Sequence, residues 1–311
     1  MNYEDLLIQG LSDDERFVVL TAENRALIRN IPDHVALKNR FIDTGISEQT
    51  MIGVAAGLAL RGRIPIVHAL AAFLTMRAFE FIRTDIGIAQ LPVKLTGFIP
   101  GLLSDGNGPT HQAVEDISIM RGIPGMQVFA PADENDMLKM LPEIWQSPFP
   151  SYLRANTIKP VVQHSNFQIG KAEVFSDGTD VTFLVYGMLF AQAWDAREKL
   201  VSQGLSVGLV NVRSIKPFDE QLLRSVVYQS ELVIIVEDHF QTGGLYSVVA
   251  ELLLRDKMTA NVISMSLGEK WFIPGRLEEV LLHAGLSGWQ IANRTMELLQ
   301  RDVTKTIYVE D

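Results

Sequence analysis

Strand-like and helix-like hydrophobic patterns alternate along the first half of the chain. Short runs rich in β-branched and aromatic residues lie at 17–20, 64–70 and 126–130. Between the last two, residues 73–90 carry apolar side chains at the spacing of a helix that buries one face. This alternation predicts right-handed βαβ units, and therefore a mainly parallel sheet with helices on both of its faces.

The pattern changes between residues 156 and 180 and then resumes. That segment has turn residues and short strand-like pieces but no long helical period, which is typical of a domain junction. Beyond it, the runs at 181–186 and 232–236 are almost continuously apolar, as parallel strands buried on both faces are. We therefore predict an α/β fold of two domains, residues 1–165 and 166–311, each with a mainly parallel sheet flanked by helices.

In the stretch from Asn39 to Gly62, a single carboxylate opens an apolar helix. After a short strand and a turn, Glu48 stands at the predicted start of a helix whose later positions are mostly apolar or small. A helix that is apolar all round is expected to be buried, and Gly53 and Gly57 would let another backbone approach it closely. Glu48 is a candidate for chemistry, but a carboxylate in a first helical turn also stabilises the helix dipole. From the pattern alone both interpretations stay open.

A loop with two glycines and a proline, residues 105–112, follows one predicted strand and precedes a predicted helix. Ligands of open α/β sheets bind in the crevice at the carboxyl ends of the strands, where this loop is expected to lie. Thr110 could cap the following helix. His111 would then stand at the lip of the crevice, able to donate, accept or shuttle a proton, although a single loop histidine often has no such role.

Composition narrows the classes of function. Hydrophobic residues make up 47% of the 311 residues and charged ones 21%, enough for a large packed core. The net charge of −10 argues against nucleic acid or an anionic membrane as the main partner. Without cysteine there is no disulfide, thiolate metal site or cysteine nucleophile. The first residues lack a signal-peptide pattern and no apolar stretch is long enough to span a bilayer, so we expect a cytoplasmic protein.

Several segments carry a family resemblance. They are RFIDTGISEQTMIGVAAGLALRGRIPIV, which contains Glu48, then FLTMRAFEFIR, and then GPTHQAVEDISIMRGIPGMQVFAPADENDM, which contains His111. In the second half, VEDHFQTGGLYSVVAELL looks like the carboxyl-terminal domain of the same family. Together they resemble the carboxyl-terminal half of transketolase over almost the whole chain. The resemblance implies a thiamine-diphosphate enzyme, with the pyrimidine-binding domain in residues 1–165 and the transketolase C-terminal domain in 166–311.

The resemblance also implies roles for particular residues. Glu48 corresponds to the catalytic glutamate that activates the aminopyrimidine ring of the cofactor, after which the cofactor itself performs the chemistry. Besides Glu48, the residues expected to bind that ring are Ile46, Leu70, Phe73 and Met76. The family uses mainly aromatic residues at the last three positions, and only Phe73 is aromatic here. The alternative for these side chains is core packing.

The residues expected to bind substrate are Asn107, His111 and Arg154. His111 corresponds to the substrate-facing histidine of the GPTHQ motif and, with Glu48, is predicted to be catalytic. Asn107 stands where ketol-transferring members usually have an aspartate that contacts a donor hydroxyl. Arg154 resembles the arginine that grips a sugar phosphate, its alternative being a solvated arginine at the end of a strand. The identity of the sugar, and whether it is phosphorylated, stays open.

A missing motif points to a partner. Enzymes of this cofactor class bind Mg²⁺ and the diphosphate through a GDG motif followed by an asparagine, and the chain has no such motif. We therefore predict no metal ligands in this chain. The resemblance implies that an amino-terminal-half subunit binds Mg²⁺ and the diphosphate, in an α₂β₂ heterotetramer of a split transketolase. The helix with Gly53 and Gly57 is expected to lie at a subunit contact.

The main prediction is a β-type subunit that transfers a two-carbon ketol unit between sugars or sugar phosphates. One alternative is a β subunit of the 2-oxo-acid dehydrogenase type, which would use a pyruvate-like donor and pass on an acyl group. The other is a non-catalytic partner subunit, against which the presence of Glu48 and His111 argues. The run Glu237-Asp238-His239 and the turn Gly243-Gly244 are interpreted as a strand end and a helix N-terminus, without a catalytic role.

Overall fold

A computed structural model describes residues 1–271 and 274–299, with the side chains at positions 35, 36, 38 and 105 outside that description. Within this range the chain forms two sheets, of seven and five strands, flanked by helices. The predicted α/β class is confirmed. The last part of the predicted second domain, residues 300–311, lies outside the described residues.

The strands follow the predicted apolar runs, with several short additions. In chain order they are β1 Phe17–Thr21, β2 Phe41–Asp43, β3 Ile64–Leu70, β4 Lys94–Phe98, β5 Gln127–Phe129, β6 Ser151–Ala155, β7 Glu173–Ser176, β8 Val181–Val185, β9 Val207–Asn211, β10 Ser214–Lys216, β11 Leu232–Val236 and β12 Val262–Met265. The first sheet has the order β10-β5-β6-β4-β3-β1-β2 and the second β12-β11-β8-β9-β7. All pairs are parallel except β10 with β5 and β7 with β9, which lie at the sheet edges.

The α-helices cover the faces of these sheets. They are α1 Tyr3–Asp13, α2 Glu48–Leu60, α3 Phe79–Phe81, α4 Asp116–Arg121, α5 Glu134–Gln146, α6 Phe190–Ser202, α7 Glu220–Gln229, α8 Leu245–Arg255, α9 Leu277–Ala284 and α10 Gly288–Leu298. The helix predicted at 73–90 is irregular, because wide π-helical segments at Phe73–Arg77 and Ile82–Gly87 flank α3. Within the described residues, no helix has the length and apolarity needed to cross a membrane.

The two halves of the chain share one sheet. Strand β10 belongs by sequence to the second half, yet it is the edge strand of the first sheet, where Ser214 pairs with Phe129. The Lys216 ammonium next to it donates to the backbone carbonyls of Arg121 and Ile123 at 2.7 and 2.6 Å. The junction is therefore a packed and hydrogen-bonded contact rather than a simple linker.

The prediction that α2 is buried on every side is wrong for the chain as the structure describes it. Met51, Ile52 and other residues on one face are buried in the core of the first sheet. Gly53 and Gly57 are exposed, and a Cβ added at either would meet nothing within 4 Å. Leu60 on the same side is 70% exposed. The chain covers only one face of a helix that is apolar on all of them.

Candidate active site

Three strand ends place the candidate residues at one edge of the first sheet. Strands β2, β1, β3 and β4 are parallel neighbours, so their carboxyl ends lie together. Glu48 follows β2, Phe73 follows β3, and His111 follows β4. In an open α/β sheet this edge is where ligands bind, and the structure brings these three predicted residues to it.

Glu48 is the first residue of α2, and its side chain is only 3% exposed. A carboxylate this buried needs a partner, because an unpaired buried charge is strongly unfavourable. The partner is Arg77, whose Nη1 donates to both carboxylate oxygens at 3.0 and 2.9 Å. The positive end of α2 also favours the negative charge at this position. Glu48 is thus held as a paired carboxylate at the rim of the crevice.

Phe73 connects Glu48 to His111. The guanidinium carbon of Arg77 lies 4.2 Å from the centre of the Phe73 ring, within cation–π distance. The Phe73 ring also packs edge-on against the His111 imidazole, with 5.0 Å between ring centres. We call these four residues, Glu48, Phe73, Arg77 and His111, the Glu48 cluster. Two predicted catalytic residues and the predicted aromatic ring-binding residue therefore form one continuous set of contacts.

The conformation of the glycine-rich loop, residues 105–112, positions His111 at the crevice. Gly108 has a φ of 72°, which a side chain would strain, and a Cβ there would meet Pro274 at 2.3 Å. The Thr110 hydroxyl is hydrogen-bonded to Nδ1 of His111 at 2.8 Å rather than capping the next helix, which begins later, at Asp116. Asn107 is exposed and donates to the Ser104 hydroxyl at 3.1 Å. Its predicted contact with substrate stays a prediction.

The other predicted ring-binding residues lie in different surroundings. Ile46, two residues before Glu48, is 75% exposed. Leu70 ends β3 and is half-buried against the core beneath that sheet face. Met76 and Phe73 both pack against a small alanine cluster that contains Ala72. Core packing, the alternative for Met76, is therefore part of the role of this side chain. The ring-binding role of Ile46, Leu70 and Met76 stays a prediction.

Arg154 does not have the surroundings expected of a residue that grips a sugar phosphate. Its side chain is 2% exposed, with Nε 2.9 Å from Asp116 and Nη1 2.7 Å from Asp238, both of which are also buried. Nη2 donates to the backbone carbonyl of Ala113 at 3.2 Å. These contacts occupy the guanidinium within the protein and join the two domains, and the predicted contact with substrate stays a prediction.

The strand end at Glu237 has the structural role that the sequence predicts. The Glu237 carboxylate accepts from the backbone N–H groups of Leu245 and Tyr246, at 2.7 and 3.1 Å, at the start of α8. Burial raises the pKa of Glu237 to about 7, although these hydrogen bonds oppose the rise. The neighbouring Asp238 carries the ion pair with Arg154.

Among the described residues, one group of three acidic or histidine side chains could converge on a metal ion: Asp136, His164 and Glu173. It lies at the domain junction rather than at the crevice. The His164 Nδ1 is already hydrogen-bonded to Glu173 at 2.8 Å, and Arg213 donates to Asp136 at 3.1 Å. The cluster neutralises its own charges, so these contacts give no reason to assign a metal to it.

The Glu48 cluster fits one half of thiamine diphosphate. A buried carboxylate beside a partly exposed aromatic ring offers a hydrogen-bond acceptor and a stacking surface, which a planar nitrogen heterocycle needs. The crevice side of this cluster provides no comparable set of carboxylates for a magnesium ion within the described residues. The described residues of the Glu48 cluster therefore suit the pyrimidine ring.

Comparison with protein families agrees with this geometry. Residues 3–159 match the family model of the transketolase pyrimidine-binding domain, and residues 170–291 match that of the transketolase C-terminal domain. The chain belongs to the transketolase family. The predicted resemblance is confirmed, and with it the dependence on thiamine diphosphate that characterises the family. The predicted domain boundary at residue 165 falls between the two matches and stays a prediction.

Two relatives of this transketolase-family chain are named as transketolase subunits. It is 37% identical over 254 residues to the 6-deoxy-6-sulfo-D-fructose transketolase subunit SqwH of Clostridium sp., covering 81% of this chain and 79% of that protein. It is 28% identical over 304 residues to an apulose-4-phosphate transketolase subunit of Phocaeicola vulgatus, covering 96% and 97%. The solved structure of a split gene transketolase, an inactive β4 tetramer, matches with a TM-score of 0.86 at 30% identity, covering 96% and 97%.

Arg77 is the residue of this site that the sequence reasoning missed. Phe73 and Arg77 are four positions apart, a spacing that brings side chains together on a helix, so the cation–π contact had a local signal. The pairing with Glu48 had none, because the two residues are 29 positions apart in different elements. The partners of Arg154 were also missed for that reason, since Asp238 comes 84 positions later.

Proposed function

We propose that this chain is the β-type subunit of a split, thiamine-diphosphate-dependent transketolase that moves a two-carbon ketol unit between sugars. The observation that carries the proposal is the Glu48 cluster at the carboxyl edge of the first sheet: a buried carboxylate, an aromatic face and a histidine in one set of contacts. Among the described residues, no group of three acidic or histidine side chains that could hold a metal ion lies in the same region.

In this proposal each residue of the chain has a distinct task. Glu48 holds the ring nitrogen of the pyrimidine through its carboxylate and exchanges a proton there. Phe73, with Ile46, Leu70 and Met76 around it, packs against the ring and excludes water. His111 and Asn107 face the sugar, where the imidazole can give or take a proton at a hydroxyl. The cofactor, when bound, supplies the carbon nucleophile.

The proposal includes a partner chain that binds the diphosphate and Mg²⁺, in an α₂β₂ heterotetramer. The exposed face of α2 supports it. Gly53 and Gly57 leave a smooth surface, and Ile46 and Leu60 beside them are 75% and 70% exposed. An apolar face of this kind marks a subunit contact more often than a solvated surface. The related β4 tetramer described as inactive is consistent with a subunit that needs a partner. The cytoplasmic location stays a prediction.

Reconstitution tests the proposal. The chain is mixed with a diphosphate-binding transketolase subunit, thiamine diphosphate and Mg²⁺, and is offered xylulose 5-phosphate, fructose 6-phosphate or 6-deoxy-6-sulfofructose with an aldose acceptor. The last donor is included because of the relative named for it. Transfer of a two-carbon unit in the mixture, with none from either subunit alone, is the expected result. Decarboxylation of pyruvate without ketol transfer would instead favour the 2-oxo-acid dehydrogenase type, and a complex without any turnover would favour a non-catalytic partner.

A further inference from the structure

Arg77 makes two contacts at once, and both involve surfaces assigned above to the pyrimidine ring. Its Nη1 bridges the two oxygens of Glu48 at 3.0 and 2.9 Å. Its guanidinium carbon stands 4.2 Å from the centre of the Phe73 ring. A guanidinium is planar, donates N–H groups to a carboxylate in its own plane and stacks on aromatic faces. It therefore satisfies Glu48 and Phe73 with the same kinds of interaction that a flat nitrogen heterocycle would use.

The two ends of this ion pair differ in their freedom to move. Glu48 is fixed, being 3% exposed and part of the first turn of α2. Arg77 is 44% exposed and lies in the π-helical segment Phe73–Arg77. A long side chain with its charged head partly in water can turn outward at small cost. Glu48, by contrast, would be left as an unpaired buried carboxylate unless another group replaced the guanidinium.

Resting on the proposed function, we infer that Arg77 competes with the pyrimidine ring of thiamine diphosphate for Glu48 and Phe73 and is displaced when the ring binds. Arg77 is then a positioning residue. It keeps the Glu48 carboxylate compensated and aligned, and the cofactor has to exchange with it. The competition lowers the affinity of the assembled enzyme for the cofactor, while the same ion pair stabilises the chain itself.

The effects of Arg77 on cofactor affinity and on the stability of the chain have opposite signs. An arginine with a purely structural role would not produce this combination. Replacing Arg77 should make the isolated chain less stable and make the assembled enzyme bind its cofactor more tightly. The dissociation constant of the cofactor should fall by up to about fivefold, which corresponds to the upper limit of about 1 kcal/mol for a partly exposed ion pair. Arg83 is a matched control, because it is an exposed arginine in the following π-helical segment. The arginine that pairs with Glu48 is Arg77.

The first experiment uses the chain alone and needs no cofactor. Thermal unfolding is compared for the wild type, Arg77→Gln, Glu48→Gln and the double variant. Arg77→Gln should lower the midpoint by about 2 °C when Glu48 is present and have little effect in the Glu48→Gln background, because no buried charge is then left unpaired. Equal effects of Arg77→Gln in both backgrounds would show that the ion pair does not form in solution and would overturn the inference.

The second experiment uses the complex with the diphosphate-binding subunit. Thiamine diphosphate binding is measured by calorimetry for the wild type, Arg77→Gln, Arg77→Lys and Arg83→Gln. We expect tighter binding for Arg77→Gln, an intermediate value for Arg77→Lys and no change for Arg83→Gln. Weaker or unchanged binding for Arg77→Gln would refute the competition and leave the proposed function intact. Failure of the wild-type complex to bind the cofactor at all would refute the proposed function and the competition together.

Discussion

His164 links the two domains through charged hydrogen bonds, so its protonation should affect the free energy of unfolding. Its Nε2 lies 2.8 Å from Asp133 at the start of α5, and its Nδ1 lies 2.8 Å from Glu173 on β7. Asp136 and Arg213 complete the surroundings. Burial opposes the positive charge, but the hydrogen bonds to the two carboxylates outweigh it and raise the pKa of His164 to about 9.

The sign of the pH effect follows from the direction of this shift. A histidine whose pKa is higher in the folded chain than its ordinary 6.5 stabilises the fold fully below pH 6.5, and this stabilisation is lost as the pH rises through about 9. At about 1.4 kcal/mol for each pKa unit, and after allowing for solvent screening, the loss amounts to about 2 to 3 kcal/mol. Because Lys94 and Glu237 have pKa values of about 7 and also titrate in this range, only a difference between variants isolates the histidine.

The assay is urea unfolding of wild type and His164→Gln at pH 6 and pH 9.5, followed by intrinsic tryptophan fluorescence. Trp194, one of the four tryptophans, packs near His164 through Phe175. The variant should be less stable than wild type by about 2 to 3 kcal/mol at pH 6, and the gap should largely close at pH 9.5. His283→Gln is the control, because His283 is exposed and should show no gap at either pH. A gap of constant size across the range would show that the charge on His164 does not stabilise the fold.

Further substitutions test the packing and the assembly. Arg154→Met should cost about 3 to 5 kcal/mol in the free energy of unfolding, because it leaves two buried carboxylates unpaired; wild-type stability in this variant would contradict the assigned role. Gly97→Ala should cost about 1 to 3 kcal/mol, since its Cβ would lie 2.7 Å from Tyr152. Gly106→Ala, whose added Cβ would meet nothing within 4 Å, should be close to neutral by the same denaturation assay. Gly57→Arg should leave the melting temperature of the chain unchanged but prevent co-purification with the diphosphate-binding subunit; retained co-purification would place the contact elsewhere.

The fold could be predicted where a signal is local. Strands β8 and β11 are continuous apolar runs, and their burial at every position agrees with the prediction for a parallel sheet. Strand β10 was missed, because Ser214–Lys216 is a short edge strand whose extended form depends on pairing with β5. Helix α2 shows a further limit: its composition indicates an apolar environment all round, but composition cannot tell whether the same chain or another one provides it.

The candidate site likewise has features that the sequence could predict and features that it could not. Glu48, Phe73 and His111 each stand after a predicted strand, so the shared sheet edge brings them together as expected. Arg154 also lies near the carboxyl end of a strand at that edge, but its role depends on the residues that surround its side chain. Asp238 belongs to the second domain and, together with Asp116, accepts hydrogen bonds from the Arg154 guanidinium. A pairing between residues this far apart in sequence leaves no periodic pattern, so it could not be predicted from one sequence.

We propose that Glu48 activates a cofactor whose other half is bound by a different chain. The most direct test is the ketol-transfer rate of the reconstituted complex with Glu48→Gln in place of the wild-type chain, at saturating cofactor. Removal of a positioned acid–base group predicts a loss of about 10²- to 10⁴-fold, with the complex still assembled. Full activity of the Glu48→Gln complex, or turnover by the wild-type chain without any partner, would contradict the account.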